Sequence, residues 1–318
     1  MPDRPELPFR KTARPDRREI LAAVGLTLAA GAGFAGPGAI AGPAVAQKSD
    51  RIVALGGVVT EVLYALGLQD RIVGVDTTSQ FPPEALRDKP GVGYVRALSV
   101  EGVLSLRPSL VIAIEGAGPP DAIALLREAG VRLVVISEDL STRGVAARIG
   151  AIGAAAGAGE PARRLAETVQ AGFEELAALR ARVVGKRRVL FALSLQNGRT
   201  MVGGANSTAD AMIRLAGGVN AAAGVEGYKP MTDEAVIAAA PEVVLMMRNS
   251  SGHDATPEEL FAMPAFSATP AAGARALVRM DGLYLLGFGP RAPLAARDLM
   301  AAIHPDAAIP ALKTAAAP

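Results

Sequence analysis

Two stretches of this chain share one frame at a fixed spacing. LSVEGVLSLRPSLVIA (98–113) and MTDEAVIAAAPEVVLM (231–246) each run through a polar pair, a glutamate, a short apolar helix, a proline and a buried strand. Glu101 and Glu234, Pro108 and Pro241, and Val111 and Val244 are each 133 residues apart. The segments upstream also open alike, with DRIVALGG at Asp50 and KRRVLFALS at Lys186. Each opening is an apolar strand followed by a Gly- or Ser-rich turn and a helix (TEVLYALG, TADAMIRLAGG). Strands alternating with helices predict parallel sheets covered by helices. One such plan occurring twice predicts an α/β protein of two Rossmann-like lobes, with a ligand cleft between them.

The segment between the two copies, EPARRLAETVQAGFEELAALRARVVGK, is read as a single helix. Pro161 suits a first helical turn and Gly185 a stop. Leu165, Val169, Phe173, Leu176, Leu179 and Val183 fall on one helical stripe. At ~1.5 Å per residue a helix over 160–185 is roughly 35–40 Å long. It would join an N-terminal lobe (47–159) to a C-terminal lobe (186–318). One stiff helix, rather than flexible strands, predicts only small closure of the lobes.

Residues 1–46 read as a cleaved leader. Arg4, Arg10, Lys11, Arg14, Arg17 and Arg18 precede an uncharged run from Ile20 to Ala46 that ends Ala44-Val45-Ala46. A basic start, an apolar middle and a small-x-small end predict a secretory signal cut before Gln47. DRREIL resembles a twin-arginine export signal, which implies a periplasmic destination. The competing reading is a membrane anchor, since the run exceeds the ~20 residues that span a bilayer; Pro37 and Pro43 weaken it as a helix. Taking the leader's six basic and four acidic residues from totals of 33 and 31 leaves 27 of each. No basic excess therefore argues for nucleic acid or an anionic membrane. The absence of cysteine excludes disulfides, thiolate metal sites and a lipid-bearing cysteine at the cleavage site.

Known catalytic patterns fail. GAGFAG satisfies G-x-G-x-x-G but lies inside the leader with no strand before it. No G-x-x-x-x-G-K-[ST] occurs, so the chain is not an ATPase of that type, and no G-x-S-x-G provides a nucleophile. Attention falls instead on GVGYVRALSVEG (91–102). Pro90, Gly91 and Gly93 mark a loop, so Tyr94 is expected on a turn rather than packed into a sheet. It is one of only four tyrosines, in a chain with no cysteine, no tryptophan and two histidines.

From about Ser49 to Ala302 the chain resembles the hemin-binding members of the ABC-importer substrate-binding proteins. The likeness is carried by RIVALGGVVTEVLYALGLQDRIVGVD, VGYVRALSVEGVLSLRPSLVIA, SLQNGRTMVGG and LYLLGFGPRAP. The resemblance implies that Tyr94 is the axial ligand to ferric haem, with Arg96 in support. Some members add a histidine from the second lobe, near the stretch that here reads LFALSLQNG and contains none. It also implies that Glu101 and Glu234, one on each lobe, dock onto arginines of a permease dimer.

The chemistry agrees with that assignment. A phenolate is a hard anionic donor suited to ferric iron. A free phenol titrates near ~10, and iron together with a nearby guanidinium favours the anionic form. Arg248, at the end of the strand VVLMM, and Arg291, in GFGPRAP, are candidate partners for the phenolate or a haem propionate. His253 is a candidate second iron ligand, although its Gly- and Ser-rich setting favours a solvated side chain. Tyr228 and Lys229 are candidates for the cleft rim, and His304 is expected at the surface. The reading is a monomeric periplasmic binding protein, not an enzyme, that delivers haem to an inner-membrane ABC importer. Cobalamin or a ferric siderophore are the alternative ligands, and a periplasmic haem-processing enzyme is the alternative from another class.

Overall fold

The computed structural model describes residues 50–196, 199–248 and 255–314. In the first lobe, β1 (Ile52–Leu55), β2 (Ile72–Val75), β5 (Leu110–Ile114) and β6 (Arg132–Ile136) form one sheet of order β2-β1-β5-β6, parallel throughout. A separate two-stranded hairpin pairs β3 (Gly93–Tyr94) with β4 (Ala97–Leu98). The runs IVAL and LVIA are fully buried, as strands covered by helices on both faces must be.

In the second lobe, β7 (Arg188–Gln196), β11 (Val243–Met247) and β12 (Leu277–Met280) form a parallel core, which β9 (Val219–Asn220) joins along β7. Two antiparallel strands, β8 (Arg199–Gly203) and β10 (Tyr228–Met231), extend one edge. β7 and β8 pair antiparallel, with Gln196 opposite Arg199, and the two residues between them in sequence are Asn-Gly.

The repeat persists in the backbone. Helices Val100–Ser105 and Asp233–Ala238 carry the same offset as β5 and β11, and are capped alike. The Ser99 hydroxyl accepts from the Gly102 amide, and the Thr232 hydroxyl from the Ala235 amide. Arg107 (φ 47°) and Ala240 (φ 45°), each just before its proline, both take the left-handed conformation that non-glycine residues rarely adopt.

The helix between the sheets runs Gly159–Arg180, 22 residues and about 33 Å. It stops five residues before the expected end, after its buried stripe finishes at Leu179, and Val184 is 96% exposed. One apolar cluster continues from Val59 and Leu63 of the first lobe, through Phe173 and Leu176 of this helix, to Phe288, Leu299 and Met300 of the second. The lobes therefore share a core and are not two balls on a string.

A buried ion pair reinforces that shared core. Glu61, on helix Gly57–Ala65, is paired with Arg291, which precedes helix Ala292–Ile303. Arg291 donates from Nε and Nη2 to the two carboxylate oxygens, both at 3.0 Å, and its backbone N–H adds a bond at 3.2 Å. The guanidinium lies 3.4 Å from the Phe81 ring centroid and 5.2 Å from that of Tyr284. A Cβ at Gly289 would stand 3.1 Å from the Glu61 carboxyl carbon, so the glycine lets the carboxylate approach closely. Arg291 was expected to support a ligand. The structure commits it to Glu61 instead, because a carboxylate buried this deeply requires a counter-charge.

His304 is also corrected, from surface to buried at 6% exposure, with Nε2 lacking a partner. Burial, helped by the nearby Arg187 and opposed by Glu242, holds its pKa below the ordinary histidine value.

Two outcomes are expected. Arg291→Met alone should cost about 3–5 kcal/mol in chemical denaturation, because it strands a buried carboxylate. Glu61→Leu combined with Arg291→Met should recover much of that loss; a single-variant cost near zero would show that the pair does not hold the lobes. For His304, the unfolded chain takes up the proton more readily than the folded one, so stability should fall as pH drops through the ordinary histidine range. Between about pH 7.5 and about pH 5.5 the urea midpoint should fall further in the wild type than in His304→Phe.

Candidate functional site

A cavity of about 370 Å³ lies between the lobes. Ile114, Ile136 and Met247, at the carboxyl ends of β5, β6 and β11, line it, where open α/β sheets hold their ligands. Val58, Leu283 and Leu286 complete apolar walls, and a phenol, two guanidiniums and the Glu138 carboxylate supply the charged and polar groups.

The first-lobe wall is built on Asp76, which is fully buried. Its carboxylate accepts from the Gly56 amide (2.6 Å), the Thr78 amide (2.9 Å) and the Thr78 hydroxyl (2.7 Å). The Thr78 hydroxyl in turn accepts from the Gly57 amide at 2.9 Å. A Cβ on Gly57 would fall 2.2 Å from the Thr78 carbonyl and 2.8 Å from Leu283 of the other lobe, so the walls meet where only glycine fits.

Tyr94 stands on the hairpin of β3 and β4, whose tip is Val95-Arg96. It is thus a strand residue, though of a two-residue strand outside both sheets, and it is 48% exposed. The hairpin is not a loose turn. Val95 is buried, its carbonyl accepts from the Gly118 amide and the Leu98 amide donates back to Gly118, both at 2.9 Å. The Thr77 amide donates to the Gly93 carbonyl, also at 2.9 Å. Gly93 takes φ +95°, with its Cβ direction 3.1 Å from the Ala97 carbonyl. The anchored backbone sets the exposed Tyr94 and Arg96 side chains on the cavity wall. Among the described residues, neither the phenol nor the Arg96 guanidinium has a hydrogen-bond or ion-pair partner.

The other candidates are placed as follows. Arg248 is exposed just past Met247, its amide donating to the Met280 carbonyl at 2.7 Å, and it is not among the residues lining the cavity. Arg291 is likewise outside the cavity wall, bound to Glu61. His253 lies outside the described residues. Tyr228 packs edge-on against Phe191 and shares a 2.5 Å hydrogen bond with the Thr208 hydroxyl. Burial raises its pKa, and with Lys229 it lies away from the cavity on the antiparallel edge. Glu101 and Glu234 are exposed in the first turns of the two matching helices. Hydrogen bonds from its own amide and the Thr232 hydroxyl hold the Glu234 carboxyl below the ordinary range.

Sequence reasoning overlooked Arg148, on helix Thr142–Ala155, which lines the cavity at 5% exposure. The signal was present. Between Arg143 and Glu160 it is the one charge in an otherwise small and apolar run, and a lone charge on such a stripe points inward.

Among the described residues no cluster of histidine, cysteine and carboxylates could hold a free metal ion, and no histidine lines the cavity. Apolar walls carrying a phenol, two guanidiniums and a carboxylate can seat a ligand with both apolar and charged parts.

A family model described as periplasmic binding protein matches residues 52–283. An uncharacterized ABC transporter substrate-binding lipoprotein of Bacillus subtilis is 30% identical over 205 residues, covering 63% of this chain and 64% of that relative's length. A vitamin B12-binding protein of Vibrio cholerae is 38% identical over 82 residues, covering 26% of this chain and 29% of its own. Among solved structures, the apo form of a periplasmic heme-binding protein from Roseiflexus sp. RS-1 superposes with a TM-score of 0.76 at 39% identity, covering 81% of this chain and 98% of that one.

Proposed function

Because the chain belongs to the periplasmic binding protein family, as a solute-binding protein of ABC-transporter type, we propose that it captures ferric haem in the interlobe cleft and hands it to an inner-membrane importer. Tyr94 supplies the axial phenolate and Arg96 the neighbouring positive charge. The observation that carries this reading is the rigid hairpin, which sets an unpartnered phenol and a guanidinium two residues apart on a largely apolar cavity. A ferric centre meets there the hard anionic oxygen it favours, and the apolar walls suit a porphyrin face. The 39% identity to a heme-binding protein over nearly its full length supports the choice of ligand.

Arg248, one residue beyond the cavity-lining Met247, is the candidate partner for the ligand's edge. His253, five residues further on, is the candidate second iron donor. Residues 1–46 act as an export leader cut before Gln47, and the protein works as a monomer in the periplasm. Cobalamin is the second reading, favoured by the short match to a vitamin B12-binding protein; its cobalt does not call for a phenolate.

Docking to the permease is assigned to Glu101 and Glu234. Two carboxylates at one structural position in two related lobes match a twofold-related receptor with two basic patches, fixing orientation more than affinity. The shared core and the connecting helix hold their spacing.

Titration of the wild type with hemin should give an intense absorption spectrum of ferric tyrosinate type. Tyr94→Phe should fold normally, lose that signature and bind at least about 100-fold more weakly; an unchanged spectrum would refute the ligand assignment, and exclusive binding of cobalamin would establish the second reading. Charge reversal at both Glu101 and Glu234 should leave the hemin titration unaltered and abolish stimulation of the importer's ATPase in reconstituted membranes. Unimpaired transport by that double variant would leave the two acids as helix-dipole residues only.

A further inference from the structure

We propose that Arg148 forms an anion subsite on the buried side of the cleft, where it receives a carboxylate of the bound ligand and selects tetrapyrroles that carry one. The inference rests on the haem reading and assigns the part of the ligand that reading leaves open.

Arg148 is 5% exposed and lines the same cavity as Tyr94 and Arg96. Its guanidinium reaches only backbone carbonyls: Phe288 at 3.1 Å, Gly287 at 3.4 Å and Asp139 at 3.4 Å. The last two are at the long limit of a hydrogen bond. Among the described residues no carboxylate comes within ion-pair distance of it. Glu138 and Asp139 act on it only from further away. The Asp139 side chain is turned to the Ser141 amide at 2.8 Å.

The contrast with Arg291 is instructive. Both guanidiniums are buried at the lobe junction, but Arg291 has a bidentate carboxylate and two aromatic faces, whereas Arg148 has neutral acceptors. A buried cation without a counter-charge is costly. A ligand carboxylate entering the cavity would give the planar fork the bidentate, charge-assisted partner it lacks. Haem carries two propionate carboxylates, whereas the side chains around the corrin of cobalamin end in amides and its one anionic group is a phosphodiester, so of the two only haem brings a carboxylate to the fork. Glu138, on the same wall, penalises a carboxylate placed anywhere but against the guanidinium.

The test compares hemin with hemin dimethyl ester, whose propionates are neutral, on the full-length processed protein. Wild type should bind hemin about 10- to 100-fold more tightly than the ester. Arg148→Met should bring both ligands to one affinity, near that of the wild type for the ester, with the tyrosinate spectrum retained. Arg148→Lys, which keeps the charge but not the fork, should restore part of the preference and decides the matter if the methionine variant does not fold. An unchanged hemin-to-ester ratio in either variant overturns the subsite, as does an equal weakening of both ligands, which marks Arg148 as an interlobe strut. A wild type that forms a tyrosinate complex with neither ligand overturns the haem reading itself, and the subsite falls with it.

Discussion

The architecture depends on the buried pairing of Glu61 with Arg291. Two α/β lobes could each close a core alone, and a cleft between them would then open and shut freely. Here the junction is filled by one apolar cluster and closed by an ion pair whose cation is stacked between Phe81 and Tyr284. A pair removed from water in this way is geometrically demanding more than it is stabilising. It allows one relative position of the two partners. The connecting helix adds length to that rigidity, and the spacing of the lobes becomes a property of the apo fold.

Rigidity on this scale passes the work of recognition to local features of the wall. Asp76 and Thr78 accept the amides of the first βα turn, the Val95–Gly118 bonds hold the hairpin, and glycines at 57 and 93 let backbones approach where side chains would collide. The result is a preorganised surface on which few groups need to move when a ligand arrives, which limits the entropy lost on binding. The exposed phenol at the mouth and the buried guanidinium within give the cleft an inside and an outside.

The internal repeat explains the frame but not the site. Matching helices, caps and left-handed residues before Pro108 and Pro241 show that the two halves follow one plan down to single backbone angles. The copies differ in what each adds to the frame. The first lobe inserts a hairpin carrying Tyr94 between β2 and β5, and the second adds an antiparallel edge. An exposed glutamate stands at the same place on each lobe, and Ile114 and Met247, also 133 residues apart, line the cleft together, while Tyr94 has no tyrosine counterpart at that spacing in the second copy.

What the sequence determined by itself was local or periodic: alternating strands and helices, the repeated frame, the apolar stripe of the connecting helix, and a tyrosine beside an arginine on a glycine-bracketed turn. Those signals survive because they depend on neighbours within a few residues. The tertiary structure alone decided which buried charges have partners. Arg291 meets Glu61 across 230 positions of chain, and Arg148 meets the Phe288 carbonyl across 140. His304 is buried near Gly217, Arg187 and Glu242, all more than sixty residues away in sequence. A guanidinium reads the same in sequence whether it is solvated, clamped or waiting for an anion, because its state is set by the dielectric and the counter-charge around it, and both are assembled from residues that sequence distance does not connect.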